Sequence, residues 1–230
     1  MLWLLTVVTT GVLVLIAGFV REISRTPTAA RPAALTATAH NTRHAAPSPS
    51  TSVQVRDASS GLSYRLLSSP WQRGCPGILD TPMFSWTAGE HAVAGQVSIG
   101  GTMFDWHGNA CSGTLQQQFA YSGPADLERV TMGVADAVEP AYYSGLVHHR
   151  SIENSSAMRV SGRPAWVVTF LMTYPDAASE GLAWTSEAGA VVIVDRGVDR
   201  APAVFYASVP SNLGTSDVAT LVSSLRLSPG

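Results

Sequence analysis

Apolar and polar residues follow three regimes along the 230-residue chain. Residues 1–20, MLWLLTVVTTGVLVLIAGFV, are almost wholly apolar and carry no charge. A helix of about twenty residues rises roughly 30 Å, the thickness of a bilayer's hydrocarbon core, so this stretch predicts a transmembrane helix. Residues 21–56 lose that character. Within 26–52, Leu35 is the one large apolar residue among Ala, Thr, Pro and Ser. Too little surface is available there to offset conformational entropy, which predicts a disordered linker. From residue 57 to 230 the pattern becomes periodic, as expected of one folded domain.

Inside that domain the period alternates between two and three to four. Leu62, Tyr64 and Leu66 share one face of a half-buried strand. Met83–Thr87 and Thr114–Tyr121 read as further strands, with an irregular, glycine-rich stretch between Gly95 and Gly113. Leu127, Val130, Val134 and Val138 mark an amphipathic helix over 124–138, opened by Pro124 and expected to break or kink at Pro140. Trp166–Tyr174 is apolar on both faces, which predicts an interior strand with Trp166 in the core. Leu182–Thr185, Ala190–Asp195 and Ala203–Val209 follow too closely for parallel pairing, which needs a long crossover. Ser216 and Asp217 open a last helix carrying Val218, Leu221, Val222 and Leu225. Strands, helix, strands and helix make an α+β domain, an antiparallel sheet flanked by helices.

Charge narrows the partners. All 14 basic residues are Arg, and from residue 51 onward ten of them face fifteen acids, so no basic stripe for nucleic acid is present. The two cysteines, Cys75 and Cys111, sit in turn-like contexts. An even count in an exported chain predicts a disulfide. The rival, a metal site through His107 or His91, lacks the spacing of known ligand motifs. Arg21, Arg25, Arg31 and Arg43 follow the apolar stretch and by themselves would hold the domain inside. The linker and the cysteines argue for the opposite side: a single-pass cell-membrane protein with its C-terminal domain outside the cytoplasm. A cleaved signal peptide is the alternative reading of residues 1–20. Leu15-Ile16-Ala17-Gly18 approaches a lipobox, but Phe19 stands where the lipid-bearing Cys is required.

The opening Gly61-Leu62-Ser63-Tyr64-Arg65-Leu66 with Trp71, the long strand Trp166–Tyr174 after Gly162-Arg163, and the closing Leu221–Arg226 helix together resemble the actinobacterial PsbP/Mog1-like (LpqN-type) cell-envelope proteins. The resemblance covers roughly residues 57 to 228. It implies an α/β/α sandwich around an antiparallel sheet and brings no catalytic residue with it. Phe19 departs from the lipoproteins of that group.

Catalytic signatures do not appear. There is no G-x-S-x-G elbow, Walker A loop, dinucleotide fingerprint or H-E-x-x-H. His148-His149 would diverge on either a strand or a helix, and reads as a solvated loop at a helix end. Glu90, Asp105, Glu187 and Asp195 are scattered acids that permit, without requiring, paired-carboxylate chemistry. Trp86, Trp106 and Trp184 lie beside Gly- and Ser-rich segments and are candidates to line a binding groove, with core packing as the alternative. The expectation is a non-catalytic module that binds an envelope protein, lipid or glycan without cofactor or metal. A cell-envelope hydrolase is the alternative, and it requires Ser or acid side chains converging with His.

Overall fold

The structure, a computed structural model, describes residues 53–228. The expected membrane span over 1–20 and the expected linker up to residue 52 lie outside the described residues. Among the described residues the elements run β1 (Gln54–Arg56), β2 (Leu62–Arg65), β3 (Gln72–Arg73), β4 (Ala88–Ile99), β5 (Thr102–Thr114), α1 (Leu127–Tyr142), β6 (His149–Val160), β7 (Arg163–Thr173), β8 (Ser186–Val194), β9 (Ala203–Pro210), α2 (Asp217–Ser224) and β10 (Arg226–Leu227). Seven strands form one antiparallel sheet in the order β3-β4-β5-β9-β8-β7-β6, and β1, β2 and β10 form a small second sheet. α1 packs on β7 and β8; α2 packs on β8, β9 and β2.

The large sheet is therefore a wall between two cores. On β8, Val191 and Ile193 face the α1 side, while Ala190, Val192 and Val194 face the α2 side. Both faces are fully buried, which is why this strand reads as a continuous apolar run rather than an alternation. On α1, Leu127, Val130, Val134 and Val138 present the stripe that the period of three and four implied, and all four are buried. Each such side chain contributes roughly 1.5–3 kcal/mol on burial.

Several expected elements differ. Of the break or kink expected at Pro140, a break does not occur: α1 continues through it to Tyr142. Pro140 lies in the last turn, where the helix has little left to lose, and the turn before it is held from outside. The Arg150 guanidinium donates to the Ala135 carbonyl at 2.8 Å and to the Asp136 carboxylate at 2.6 Å. Pro124 lies in a short 3-10 turn ahead of α1. The stretch 95–113 is not irregular: it belongs to the β4–β5 hairpin, closed by Gly100 and Gly101 at φ of 58° and 82°. Two consecutive positive-φ residues are what a tight two-residue hairpin turn requires. Met83–Thr87 contains only an isolated bridge between Thr81 and Phe84, and Leu182–Thr185 is loop. Past Thr114 the chain turns into a 3-10 turn, Gln117–Phe119. Trp166 is half-buried rather than core, its indole N–H donating to Ser155 Oγ at 2.9 Å. Strand β6 carried no sequence signal, because it is an edge strand with mostly exposed polar residues.

Cys75 and Cys111 are bonded, with Cα atoms 6.0 Å apart. Cys75 follows β3 and Cys111 lies on β5, so the bond crosses over the intervening strand β4. Gly89 is the residue it crosses. A Cβ there would overlap Cys75 Sγ and would lie 3.0 Å from Cys111 Sγ. Glycine at this position lets the sulfurs approach the sheet backbone.

Candidate functional site

Glu187 begins β8 in phase with Val191 and Ile193, which places a carboxylate on the buried α1 side. Four donors from four other segments converge on it. Trp106 Nε1 on β5 and the Tyr174 hydroxyl after β7 each donate to Oε2 at 3.0 Å. The Tyr143 hydroxyl, just past α1, donates to Oε1 at 3.0 Å, and Ser208 Oγ on β9 donates to the same oxygen. Tyr143 also meets the Tyr206 hydroxyl at 3.0 Å. Burial pushes the Glu187 carboxyl up to about 7, against the hydrogen bonds from Trp106, Tyr174 and Tyr143 that favour its charged form. Burial, and then the Glu187 charge, raise the Tyr174 and Tyr206 hydroxyls well above the ordinary phenol range.

Glu187 borders a cavity of about 230 Å³ at the C-terminal end of α1. Ala141, Tyr142 and Tyr143 form one side; Phe104, Asp105, Trp106, His107 and Asn109 of β5 form another; Tyr206 and Ser208 of β9 complete the floor. A β-bulge explains how one strand offers so many side chains. The register between β4 and β5 slips between Val93 and Gly95, opposite His107 and Trp106. Across it the lining positions change phase, from Asn109 and His107 to Trp106 and Phe104. Tyr142 is fixed by accepting from Trp86 Nε1 at 3.0 Å and donating to the Leu79 carbonyl at 2.7 Å.

One buried polar atom beside this wall has no partner, and less than 1 Å² of it is accessible. Asn109 is 5 % exposed, and its Nδ2 donates to the His107 carbonyl at 2.9 Å. That bond fixes which end of the amide is which, so Oδ1 is the unpaired acceptor. An unsatisfied buried acceptor costs about 1–3 kcal/mol.

The three candidate tryptophans take different places. Trp106 lines the cavity. Trp184 is buried behind it, stacked with ring centroids 5.9 Å apart. Gly95 faces the Trp184 ring, where a Cβ would lie 3.0 Å from it. Trp86 stacks on Tyr206 at 5.8 Å and holds Tyr142 from the core side. Among the four acids, Glu187 and Asp105 border the cavity. Glu90 is buried toward the opposite core, accepting from the Leu67 N–H at 2.9 Å. Asp195, at the end of β8, pairs with Arg163 at 2.9 Å and accepts from the Tyr121 hydroxyl at 2.9 Å. His148 contacts the Leu146 carbonyl at 2.8 Å and Glu139 at 3.3 Å, while His149 opens β6 with its side chain exposed. The His91 and His107 rings meet edge to face at 5.4 Å. Both sulfurs are consumed in the disulfide, so Cys111 offers no thiolate for a metal beside them.

The Glu187 cluster was invisible to motif reading because its five members come from five segments. A signal did exist: Glu187 and Ser208 are polar residues in the buried phase of apolar strands, Glu187 with Val191 and Ser208 with Tyr206. Acids are almost never placed there without partners.

No family model and no curated protein matches the chain. Among solved structures, the chain is similar to the solution structure of cyanobacterial PsbP (CyanoP) from Synechocystis sp. PCC 6803, at 12 % identity and a TM-score of 0.41, over 76 % of this chain and 93 % of that one. A likeness of that extent identifies no family and carries no residue across. The α+β architecture rests on this chain's own sheet and helices.

Proposed function

We propose that this protein is a membrane-tethered, extracytoplasmic, non-catalytic module of the PsbP/Mog1-like kind, and that it binds a small envelope ligand in the cavity at the end of α1. The observation that carries the reading is the cavity of about 230 Å³ itself, lined by the rings of Trp106, Tyr142, Tyr143 and Tyr206 with a few polar groups among them. Apolar walls with a few converging polar groups are the ordinary make-up of a small-molecule site. The Cys75–Cys111 bond supports an oxidising compartment, and the uncharged residues 1–20 support the tether.

A hydrolase finds less support in the same geometry. Each Glu187 oxygen is closed in by two partners, Trp106 and Tyr174 at Oε2 and Tyr143 and Ser208 at Oε1, which leaves no approach for a nucleophile that would use it as a base. Ser208 is 1 % exposed, and its hydroxyl is bonded to this carboxylate rather than to an imidazole.

Two experiments test the two halves. A periplasm-dependent reporter enzyme fused after Gly230 is expected to be active, with the full chain in the membrane fraction. Activity of a cytosol-only reporter at the same point counts against export. For the cavity, Ala141→Trp places a large ring at its mouth, from an exposed position on α1. A fragment screen by ligand-observed NMR on the full chain in non-ionic micelles should give hits that this variant loses. A screen without hits overturns the reading.

A further inference from the structure

From residue 51 onward the chain has ten arginines, and three of them, Arg163, Arg196 and Arg200, line one open cleft of about 780 Å³. Among the described residues no acid lines it, the reverse of a domain whose acids outnumber its arginines. The cleft shares no lining residue with the cavity at the end of α1. Motif reading missed the cluster because Arg163 opens β7, whereas Arg196 and Arg200 stand in the loop between β8 and β9. β7 and β8 pair antiparallel, so the start of one lies beside the end of the other. Gly197 lets them meet: at φ 90° it leaves bare a place where a Cβ would lie 2.7 Å from Arg163 Nη2.

Each guanidinium keeps donors unengaged. Arg163 uses Nε on the Asp195 carbonyl at 3.1 Å and Nη2 on its carboxylate at 2.9 Å, which leaves Nη1. Arg196 donates from Nη1 alone, to the Ser59 and Ala201 carbonyls at 3.1 and 3.4 Å, contacts that hold the side chain without cancelling its charge. The Arg200 guanidinium is exposed and has no partner among the described residues. The nearest carboxylates in the chain are committed elsewhere. Asp195 and Asp199 border the adjoining cleft. Asp57 is 3 % exposed, and its carboxylate accepts from Ser60, Thr87 and Ser112.

A cation would meet these guanidinium charges with no acid to offset them. A neutral apolar occupant would find Leu227 as the one large apolar side chain in the lining. A carboxylate is planar, and one guanidinium fork saturates it. A phosphate monoester is tetrahedral, carries roughly two charges, and accepts from forks that arrive from different segments. We propose that this cleft is an anion site for a phosphate group, free or carried on a lipid headgroup, held between Arg163, Arg196 and Arg200.

The test is calorimetric titration of the full chain in non-ionic micelles with inorganic phosphate, glycerol 3-phosphate and acetate. Both phosphates are expected to bind, and acetate at least about tenfold more weakly. Arg200→Gln removes a side chain without a folded-state partner and should weaken glycerol 3-phosphate about tenfold. Arg129→Gln makes the same change of charge on α1, where Arg129 pairs with Asp126 at 3.0 Å, and should weaken it less than about twofold. Doping the micelles with phosphatidic acid, which presents the same glycerol phosphate on a lipid, separates the two sources. Loss of the glycerol 3-phosphate signal there, but not with phosphatidylcholine, assigns the site to a headgroup; an unchanged signal assigns it to a soluble phosphate. Phosphates that do not bind, acetate that binds as tightly, or equal weakening by Arg200→Gln and Arg129→Gln would each overturn the proposal.

Discussion

Glu187 and Glu90 are two carboxylates placed where water does not reach, one toward each core. Burial pushes both up to about 7; for Glu90 the Leu67 N–H and the Arg73 charge oppose it, as the indole and hydroxyl donors do for Glu187. Their folded values lie above the unfolded value of 4.5, so the folded chain keeps protons that the unfolded chain releases. Stability is therefore complete below about 4.5 and declines as pH rises toward about 7, by on the order of 3 kcal/mol for each group. His107 works the other way, since its depressed value withdraws stability as pH falls below its unfolded 6.5. Asp57 stays outside this window. Burial raises its carboxyl, but the hydroxyls of Ser60, Thr87 and Ser112 with the Ser60 N–H more than offset that, and its contribution is lost only as pH falls below 3.8. One imidazole against two carboxylates leaves a net decline. Urea unfolding between pH 5 and 8 should show stability falling with pH, and Glu187→Gln or Glu90→Gln should each remove at least half of the net slope. A slope unchanged in both variants would mean that neither acid enters the fold protonated.

At the scale of elements, the disulfide and Gly89 act as one device. The bond closes a loop across a sequence separation of 36 residues, tying the β3 edge to β5. By the chain-entropy account it contributes about 3–4 kcal/mol, so Cys75→Ala with Cys111→Ala should lower the unfolding free energy by that amount. Gly89→Ala puts a methyl group on Cys75 Sγ and should cost roughly 1–3 kcal/mol in the oxidised protein. In the double-alanine background the cost should shrink without vanishing, because the Ala110 carbonyl still lies 2.6 Å from the added carbon. Unfolding curves of the four proteins measure the coupling, and strict additivity would deny the shared device. The same elements show what the sequence made legible. The disulfide, α1, β7, β8, β9 and α2 followed from cysteine count and from periods that one buried surface imposes. The β4–β5 hairpin was missed because its bulge shifts the alternation by one and its glycines read as loop. Ile99-Gly100-Gly101-Thr102 nevertheless carried a two-residue turn signal. Strand β6 was missed because an edge strand with an exposed face has no apolar period to show.

For the molecule as a whole, the sheet separates the labour of the two cores. The α2 side is packed by Leu62, Phe205, Val209 and Leu221, and the cavity belongs to the α1 side. The cavity was not legible in the sequence, since Phe104–Asn109, Tyr142–Tyr143, Glu187 and Ser208 meet only when β5, β9 and β8 lie side by side and α1 ends over them. If the division holds, stability and binding should come apart under mutation. Leu221, 0 % exposed on α2, anchors the far core. Leu221→Ala removes methyl groups from a closed interior and should cost about 2–5 kcal/mol. The folded fraction should still bind the fragment hits of the wild-type chain with unchanged affinity, because no Leu221 atom borders the cavity. Ala141→Trp, on an exposed position of α1, should do the reverse, keeping the melting temperature while losing the fragment hits. Melting curves beside titrations on the two variants decide the matter. Equal loss of affinity in both would mean that the sheet transmits strain between its faces, and that the cavity is a by-product of packing rather than a site held apart from it.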